Sequence, residues 1–288
     1  MPTPSENAQQ DDRVSIAAAY LTVHTPRYCT YDAAFAGKLA HPDFRPVRDG
    51  LVDQGRHVAS VRPDVLIVNS CHLITTFPTV VVGTPRHRGV LTAQEAPELI
   101  HGVAYDFPGD YELAAAMVER GAAAGLQCVL ANDVHYPLDY GTVMPLVCYL
   151  DRTQTIPVVP VSICLAADLD ECFAWGGHVA AAVAALGRRG AFVASGSVSH
   201  KLVRGPEKWP DAADQEFDHH LARLLADGRY DEAWRWLPEY RARAEPEMGG
   251  RHLAMLLGAL IASRRHYPGA VHAYGPSSGS GNYVISLG

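Results

Sequence analysis

The sequence predicts an α/β fold: one three-layer α/β/α domain around a mostly parallel or mixed central sheet. Short apolar runs alternate with helix-length segments, the pattern of strands joined by crossover helices. Those runs are apolar nearly throughout instead of alternating, as in strands covered on both faces. No internal repeat and no Pro- or Ser-rich linker divides the 288 residues. One domain over 13–288, behind a polar leader at 1–12, is therefore preferred to the two domains that a prior of ~150 residues per domain allows.

The elements follow in order. Val14–Val23 (VSIAAAYLTV) and Val65–Asn69 (VLIVN) read as buried strands, with helix-compatible periodicity over residues 45–60 between them. Asp110–Gly125 reads as a helix with Asp110 as its N-cap and Gly125 as its stop. Gln127–Ala131 and Ile156–Cys164 are strand-like, Leu169–Leu186 is an Ala-rich helix ending at Gly187, and Gly190–Ser195 is again a strand. From Asp211 the chain turns helical, over Ala212–Ala226, Tyr230–Leu237 and Met248–Ser263. Two short runs, Ala270–Tyr274 and Asn282–Leu287, close it. Between them Gly275–Gly281 (GPSSGSG) lacks the spacing and the Lys of a phosphate-binding loop and reads as a tight loop.

Composition narrows the functional classes. A hydrophobic share of 48% with 19% charged residues belongs to a packed globular chain. The net charge of −7 argues against nucleic-acid binding, which needs clustered Lys and Arg. The only basic clusters, Arg188–Arg189 and Arg264–Arg265, read as solvated helix ends. The leader lacks the cationic and apolar regions of a secretory signal, and no run approaches the ~18 apolar residues of a membrane span. Six cysteines form no CxxC pair, which suits a reduced, cytoplasmic protein with free thiols.

Histidine is the anomaly, with 14 copies. His24 follows the first strand in LTVHTPRY, His72 follows VLIVN, and His200 follows GAFVAS in ASGSVSHKL. Ligand sites in open α/β sheets gather beyond the carboxyl ends of strands. One histidine there is more often a hydrogen-bonded loop residue; three in the same kind of place make a metal or acid/base site an equal reading. Their spacing matches no compact zinc motif, so any metal site is assembled by the tertiary fold. Ser195–Ser199 lacks the second Gly of a nucleophile elbow. Asp139–Thr142 reads as a turn whose Tyr140 is available to a pocket, and His219–His220 as a solvated helix face. Glu245 and Glu247 read first as favourable charge at a helix N-terminus.

Taken together, LTVHTPRY, VNSCHLI, YDFPGDYELA, LDYGTVMPL, ASGSVSHKL, EFDHHLARLL, LPEYRA, MGGRHLAMLLGAL and PSSGSGNY resemble the class III extradiol ring-cleavage dioxygenases. The likeness is to the homoprotocatechuate dioxygenase branch, with ortho-aminophenol dioxygenases as relatives, and runs from about His24 to the C-terminus. It implies Fe(II) held by His24, His72 and Glu247, with Glu245 as the alternative register for the carboxylate. It implies that His200 is an acid/base group beside the metal. The stretch around His135 and Tyr140 would face substrate; many members carry His at Tyr140, and His135 is then a candidate for that imidazole. Two neutral imidazoles and a carboxylate bind Fe(II) on one face and leave the opposite positions open to substrate and dioxygen. The implied enzyme is a homo-oligomer acting with dioxygen on a substituted catechol like homoprotocatechuate, or on an ortho-aminophenol. Two other readings stand beside it: a metal-dependent hydrolase using the same His/His/Glu set, and a non-catalytic partner subunit.

Overall fold

The structure, a computed structural model, describes residues 15–29, 42–264, 267 and 269–288. The leader at 1–12, Val14 and Arg265 lie outside the described residues. Eight strands form one mixed sheet in the order β6-β3-β7-β2-β8-β1-β10-β9. They are β1 (Ser15–Thr22), β2 (Val65–Thr75), β3 (Thr79–Val82), β6 (Cys128–Ala131), β7 (Val158–Cys164), β8 (Arg189–Ser195), β9 (Gly269–Ser277) and β10 (Ser280–Leu287). The centre, β7-β2-β8-β1, is parallel, while β3 meets β7 and β10 meets both β1 and β9 antiparallel. Register aligns Thr22 of β1 and Ser70 of β2 with Ser195 of β8. The carboxyl ends of β1 and β8 therefore lie level with the middle of β2.

Helices cover both faces. Helix α1 (Arg45–Val61), the short α3 (Tyr140–Pro145) and the π-turn Leu146–Leu150 lie on one side. Helices α2 (Tyr111–Ala123), α4 (Leu169–Ala185), α5 (Ala212–Ala226), α6 (Tyr230–Ala244) and α7 (Arg251–Ala262) build the larger core on the other. Asp110 caps α2 by accepting from the Leu113 amide, and Gly125 just past its end has φ +82°, as a stop signal requires.

Several boundaries differ from the sequence reading for identifiable reasons. Strand β2 does not end at Asn69. It runs on to Thr75 with a register shift against β7 between Asn69 and Ile74, so His72 sits in a bulge within the strand; bulges re-aim side chains beside active sites. Helix α6 continues through Pro238 to Ala244, because the buried side chains of Leu237, Tyr240 and Ala244 outweigh the bond the proline cannot donate. Helix α7 starts only at Arg251, since Met248, Gly249 and Gly250 all have positive φ. The strands β4 (Arg86–Leu91) and β5 (Val103–Pro108) pair as a separate hairpin sheet that the apolar runs did not signal, because only one face is buried. In GPSSGSG only Ser278 and Gly279 form the turn, with φ +52° and +82°, the positive pair a tight hairpin favours. His219 and His220 are not a solvated face: His219 Nδ1 bonds the Tyr283 hydroxyl at 2.5 Å and His220 meets Trp236 edge-on at 4.5 Å. Arg188 bridges to Asp110 and Glu112 at 3.3 and 2.8 Å instead of ending a helix in water.

Helices α4 and α7 cross at two glycines. A Cβ on Gly176 would overlap the Met255 carbonyl, and one on Gly258 the Phe173 carbonyl. Overpacking costs ~1–3 kcal/mol, and backbone cannot step aside as a side chain can. Against a helix-propensity gain of ~1 kcal/mol, Gly258→Ala is expected to lower the unfolding free energy by about 2 kcal/mol, read as a lower urea midpoint at unchanged slope.

Candidate active site

His24 lies just past β1, His72 in the β2 bulge, and Glu247 at the start of the turn Glu247–Gly250 between α6 and α7. The connection that carries Glu247 is paired to the loop after β8. Glu247 donates its amide to the Val198 carbonyl at 3.2 Å, His200 donates to the Glu245 carbonyl at 3.2 Å, and Ser199 and Pro246 form a bridge. That pairing puts Glu247 inside at 1% exposure while Glu245 stays exposed. One ligand atom from each of His24, His72 and Glu247 lies within 4.8 Å of the others. Glu247 Oε1 is 3.4 Å from His24 Nε2 and 3.3 Å from His72 Nε2.

Hydrogen bonds assign the atoms. Glu247 Oε2 accepts the Ser197 amide at 2.6 Å, leaving Oε1 to the two rings. The Ser195 hydroxyl donates its one proton to the Gly141 carbonyl at 2.6 Å, so at 3.1 Å it can only accept from His24 Nδ1. His24 Nε2 then turns a lone pair toward Oε1. His72 Nδ1 faces the Glu95 carboxylate at 3.6 Å, which favours the proton there, and the Tyr140 hydroxyl donates to His72 Nε2 at 2.7 Å. Two imidazole Nε2 atoms this close to one buried carboxylate oxygen require either a proton on each ring or a cation among them. Two imidazoles and a carboxylate are a donor set for a first-row divalent cation, and the separations suit ligands each ~2.0–2.2 Å from one ion. The residues present fit a metal.

Without a cation, protons on the rings satisfy the same carboxylate, and the charge states follow from that. Burial pushes the Glu247 carboxyl up, but His24, His72 and His200 outweigh it and hold it well below the usual carboxylate range. Burial pulls the His72 imidazole down, yet Glu247 first, then Asp139 and Glu95, leave it raised. His200 is lowered: burial dominates, the attraction of Glu247 opposes it, and repulsion by His24 and His72 adds to it.

These groups open onto a cavity of about 290 Å³ lined by His24, His72, Glu95, Tyr140, His200 and Glu247 among others, about the lower limit of ordinary small-molecule sites. His200 is anchored there by Nδ1 against the Ser280 hydroxyl at 2.9 Å. Tyr140 opens helix α3, which Asp139 caps by accepting the Thr142 amide at 3.0 Å. Its ring lies 4.1 Å from His72 and 5.5 Å from His24. A Cβ on Gly141 would overlap the Ser70 hydroxyl and come within 3.3 Å of His24 Nδ1, so the turn must bring bare backbone to the ligand. His135 is elsewhere: it is exposed on the loop before α3, with its amide on the Asp133 carboxylate at 2.9 Å, and it does not line the cavity. A larger cavity of about 600 Å³ lies between α1 and the π-turn and shares no lining residue with the His24, His72 and Glu247 cluster. Ser195, Ser197 and Glu95 carried no metal-site signal in the sequence; the serines stood out only as a failed nucleophile motif, and Glu95 not at all.

Residues 18–284 match the family model described as the catalytic LigB subunit of aromatic ring-opening dioxygenase. The chain belongs to this family of class III extradiol ring-cleavage dioxygenases. It is 25% identical over 241 residues to 3,4-dihydroxyphenylacetate 2,3-dioxygenase of Escherichia coli, covering 80% of this chain and 86% of the relative. It is 26% identical to the beta subunit of 2-aminophenol 1,6-dioxygenase of a Pseudomonas species, covering 79% of each, and 28% identical to the alpha subunit, covering 81% of this chain and 87% of the subunit. The crystal structure of an uncharacterized protein from Escherichia coli K12 shares the fold, with a TM-score of 0.61 at 20% identity over 83% of this chain and 92% of the other.

Proposed function

We propose that the protein uses Fe(II), held by His24, His72 and Glu247, to open a single aromatic ring bearing adjacent hydroxyls, with a substituted catechol resembling 3,4-dihydroxyphenylacetate as substrate. The observation that carries this is the convergence of two imidazole Nε2 atoms on one buried carboxylate oxygen. Bound there, Fe(II) supplies the redox-active centre at which an electron-rich ring and dioxygen meet. The chain's own residues do the rest. Ser195 and Glu95 orient the two rings by their Nδ1 atoms, the role such partners play around ligating histidines. His200, held from behind by Ser280, takes a phenolic proton and returns it after ring opening. Tyr140 donates to the His72 lone pair; with that lone pair engaged as a ligand, its hydroxyl is left to hydrogen-bond the substrate. His135, exposed and outside the cavity, takes no part.

A second reading has its own observation. Glu95 places a carboxylate in the cavity wall, and an anionic ring substituent would meet it at a cost, whereas 2-aminophenol carries none. The reading extends to a homo-oligomer in a reducing cytoplasm. The match to two subunit types of one relative supports assembly, and six free cysteines support the compartment. No helix among the described residues is long and apolar enough to cross a membrane.

Oxygen uptake by the anaerobically Fe(II)-loaded protein tests this with catechol, 4-methylcatechol, 3,4-dihydroxyphenylacetate and 2-aminophenol. Uptake with at least one ring, matched mole for mole by ring opening, is expected. A higher kcat/KM for 2-aminophenol than for the diols would select the second reading. Silence with all four would overturn both.

A further inference from the structure

Asp218, on α5, is fully buried and takes no part in the chemistry above. Its bonds come from neutral donors, two to each oxygen. Oδ1 accepts the Ser199 amide at 3.0 Å and the Tyr240 hydroxyl at 2.6 Å. Oδ2 accepts the Ser199 and Tyr274 hydroxyls, each at 2.6 Å. A carboxylate is among the costliest groups to take out of water, and this one spends half its bonds on one residue, the neighbour of His200.

The GPSSGSG turn belongs to the same arrangement. A Cβ on Gly281 would overlap Asp218 Oδ2 and come within 2.9 Å of the Ser199 hydroxyl, so only glycine admits the carboxylate there. Gly281 in turn receives the Val198 amide on its carbonyl and donates its own amide to the Ser199 carbonyl, both at 2.9 Å. The next residue back, Ser280, holds the His200 imidazole. Between the end of β8 at Ser195 and the start of α5 at Ala212, no regular element supports His200. Its segment is held instead by these ties, by the pairing with residues 245–247 and by the bridges at Ser199 and His200.

We infer that Asp218 is a positioning residue: with Tyr240, Tyr274 and Gly281 it clamps Ser199, and thereby holds the His200 imidazole over the cavity. This rests on the acid/base reading of His200. The clamp calls for a carboxylate because every partner is a donor. Asn in its place turns an NH₂ group toward the Ser199 and Tyr274 hydroxyls, which must rotate to accept it, so two charge-assisted bonds are exchanged for reoriented neutral ones at constant shape.

The test compares Asp218→Asn in the wild-type and His200→Phe backgrounds, using whichever ring of the panel is opened fastest. In the wild type, kcat is expected to fall about 10- to 100-fold, with iron content unchanged and KM within about twofold; positioned proton transfer is worth ~10²–10⁴, and a displaced base loses part of it. In the His200→Phe background the same change is expected to cost less than about twofold, the non-additivity of groups acting as a unit. An equal loss in both backgrounds overturns the inference. A second readout needs no turnover: amide exchange at Ser199 is expected to quicken at least ~10-fold while the β8 amides keep their protection. Unchanged exchange at Ser199 overturns the clamp. If the wild type opens none of the rings, the functional reading fails, and the exchange arm still decides the clamp. Should Asp218→Asn not fold, Tyr274→Phe removes one donor alone and is expected to show the same two patterns at about 3- to 10-fold.

Discussion

Replacing Glu247 by Ala is expected to empty the metal site while leaving the fold in place. Oε1 is the atom nearest both histidine Nε2 atoms and Oε2 is held by the Ser197 amide, so the side chain is fixed at the centre of the cluster. Removing even an outer partner of a ligand costs ~10–100-fold in metal affinity. Loss of the ligand itself is therefore expected to exceed ~100-fold, or about 3 kcal/mol at ~1.4 kcal/mol per decade. Glu245→Ala is the control: that residue is exposed and reaches none of the donors, and its metal affinity is expected to stay within about twofold. Metal stoichiometry after anaerobic reconstitution, with the melting temperature of the same preparation, checks both. Full occupancy in Glu247→Ala would remove Glu247 from the site.

His200→Phe is expected to do the opposite, keeping the metal and losing the rate. The ring lies on the cavity wall with Nδ1 on Ser280, and it is not one of the three clustered ligands. Burial and the two neighbouring histidines lower its pKa, so at neutral pH the metal-free ring is uncharged and able to accept a proton. Losing positioned proton transfer slows turnover ~10²–10⁴-fold, about 3–5 kcal/mol of barrier. The stability cost is limited to one hydrogen bond, ~1 kcal/mol. Iron content, melting temperature and kcat measured together separate the outcomes. Lost iron would make His200 a ligand, and unchanged turnover would make it structural.

The parts legible in the sequence are those governed by local physics. Apolar runs located β1, β7 and β8, because strands covered on both faces leave a continuous signature. Asp110 and Gly125 marked the ends of α2, because caps and stops satisfy backbone groups within a few residues. His24 and His200 stood out by following such runs. The half-buried β4–β5 hairpin was not legible, since its alternating pattern is short and interrupted. Nor was the length of α6, where packing of Tyr240 and Ala244 overrode the proline rule.

Glu247 shows where local reading stops. On either side of Pro246 two glutamates stand before a helix, and by composition both are N-terminal charges; only the family resemblance singled one out. The choice between them is made by the pairing of residues 198–200 with 245–247, a contact between segments far apart in the chain. The same holds for Ser195 against His24, Glu95 against His72 and Asp218 against Ser199. By itself the sequence determined the layered α/β class, several strand ends and the residue types able to hold a metal, because hydrophobic period and capping act over one or two turns. The tertiary structure alone decided which carboxylate faces the imidazoles, which nitrogen of each ring is free, and that His135 stays outside. Those are matters of direction and distance between segments that no local pattern encodes.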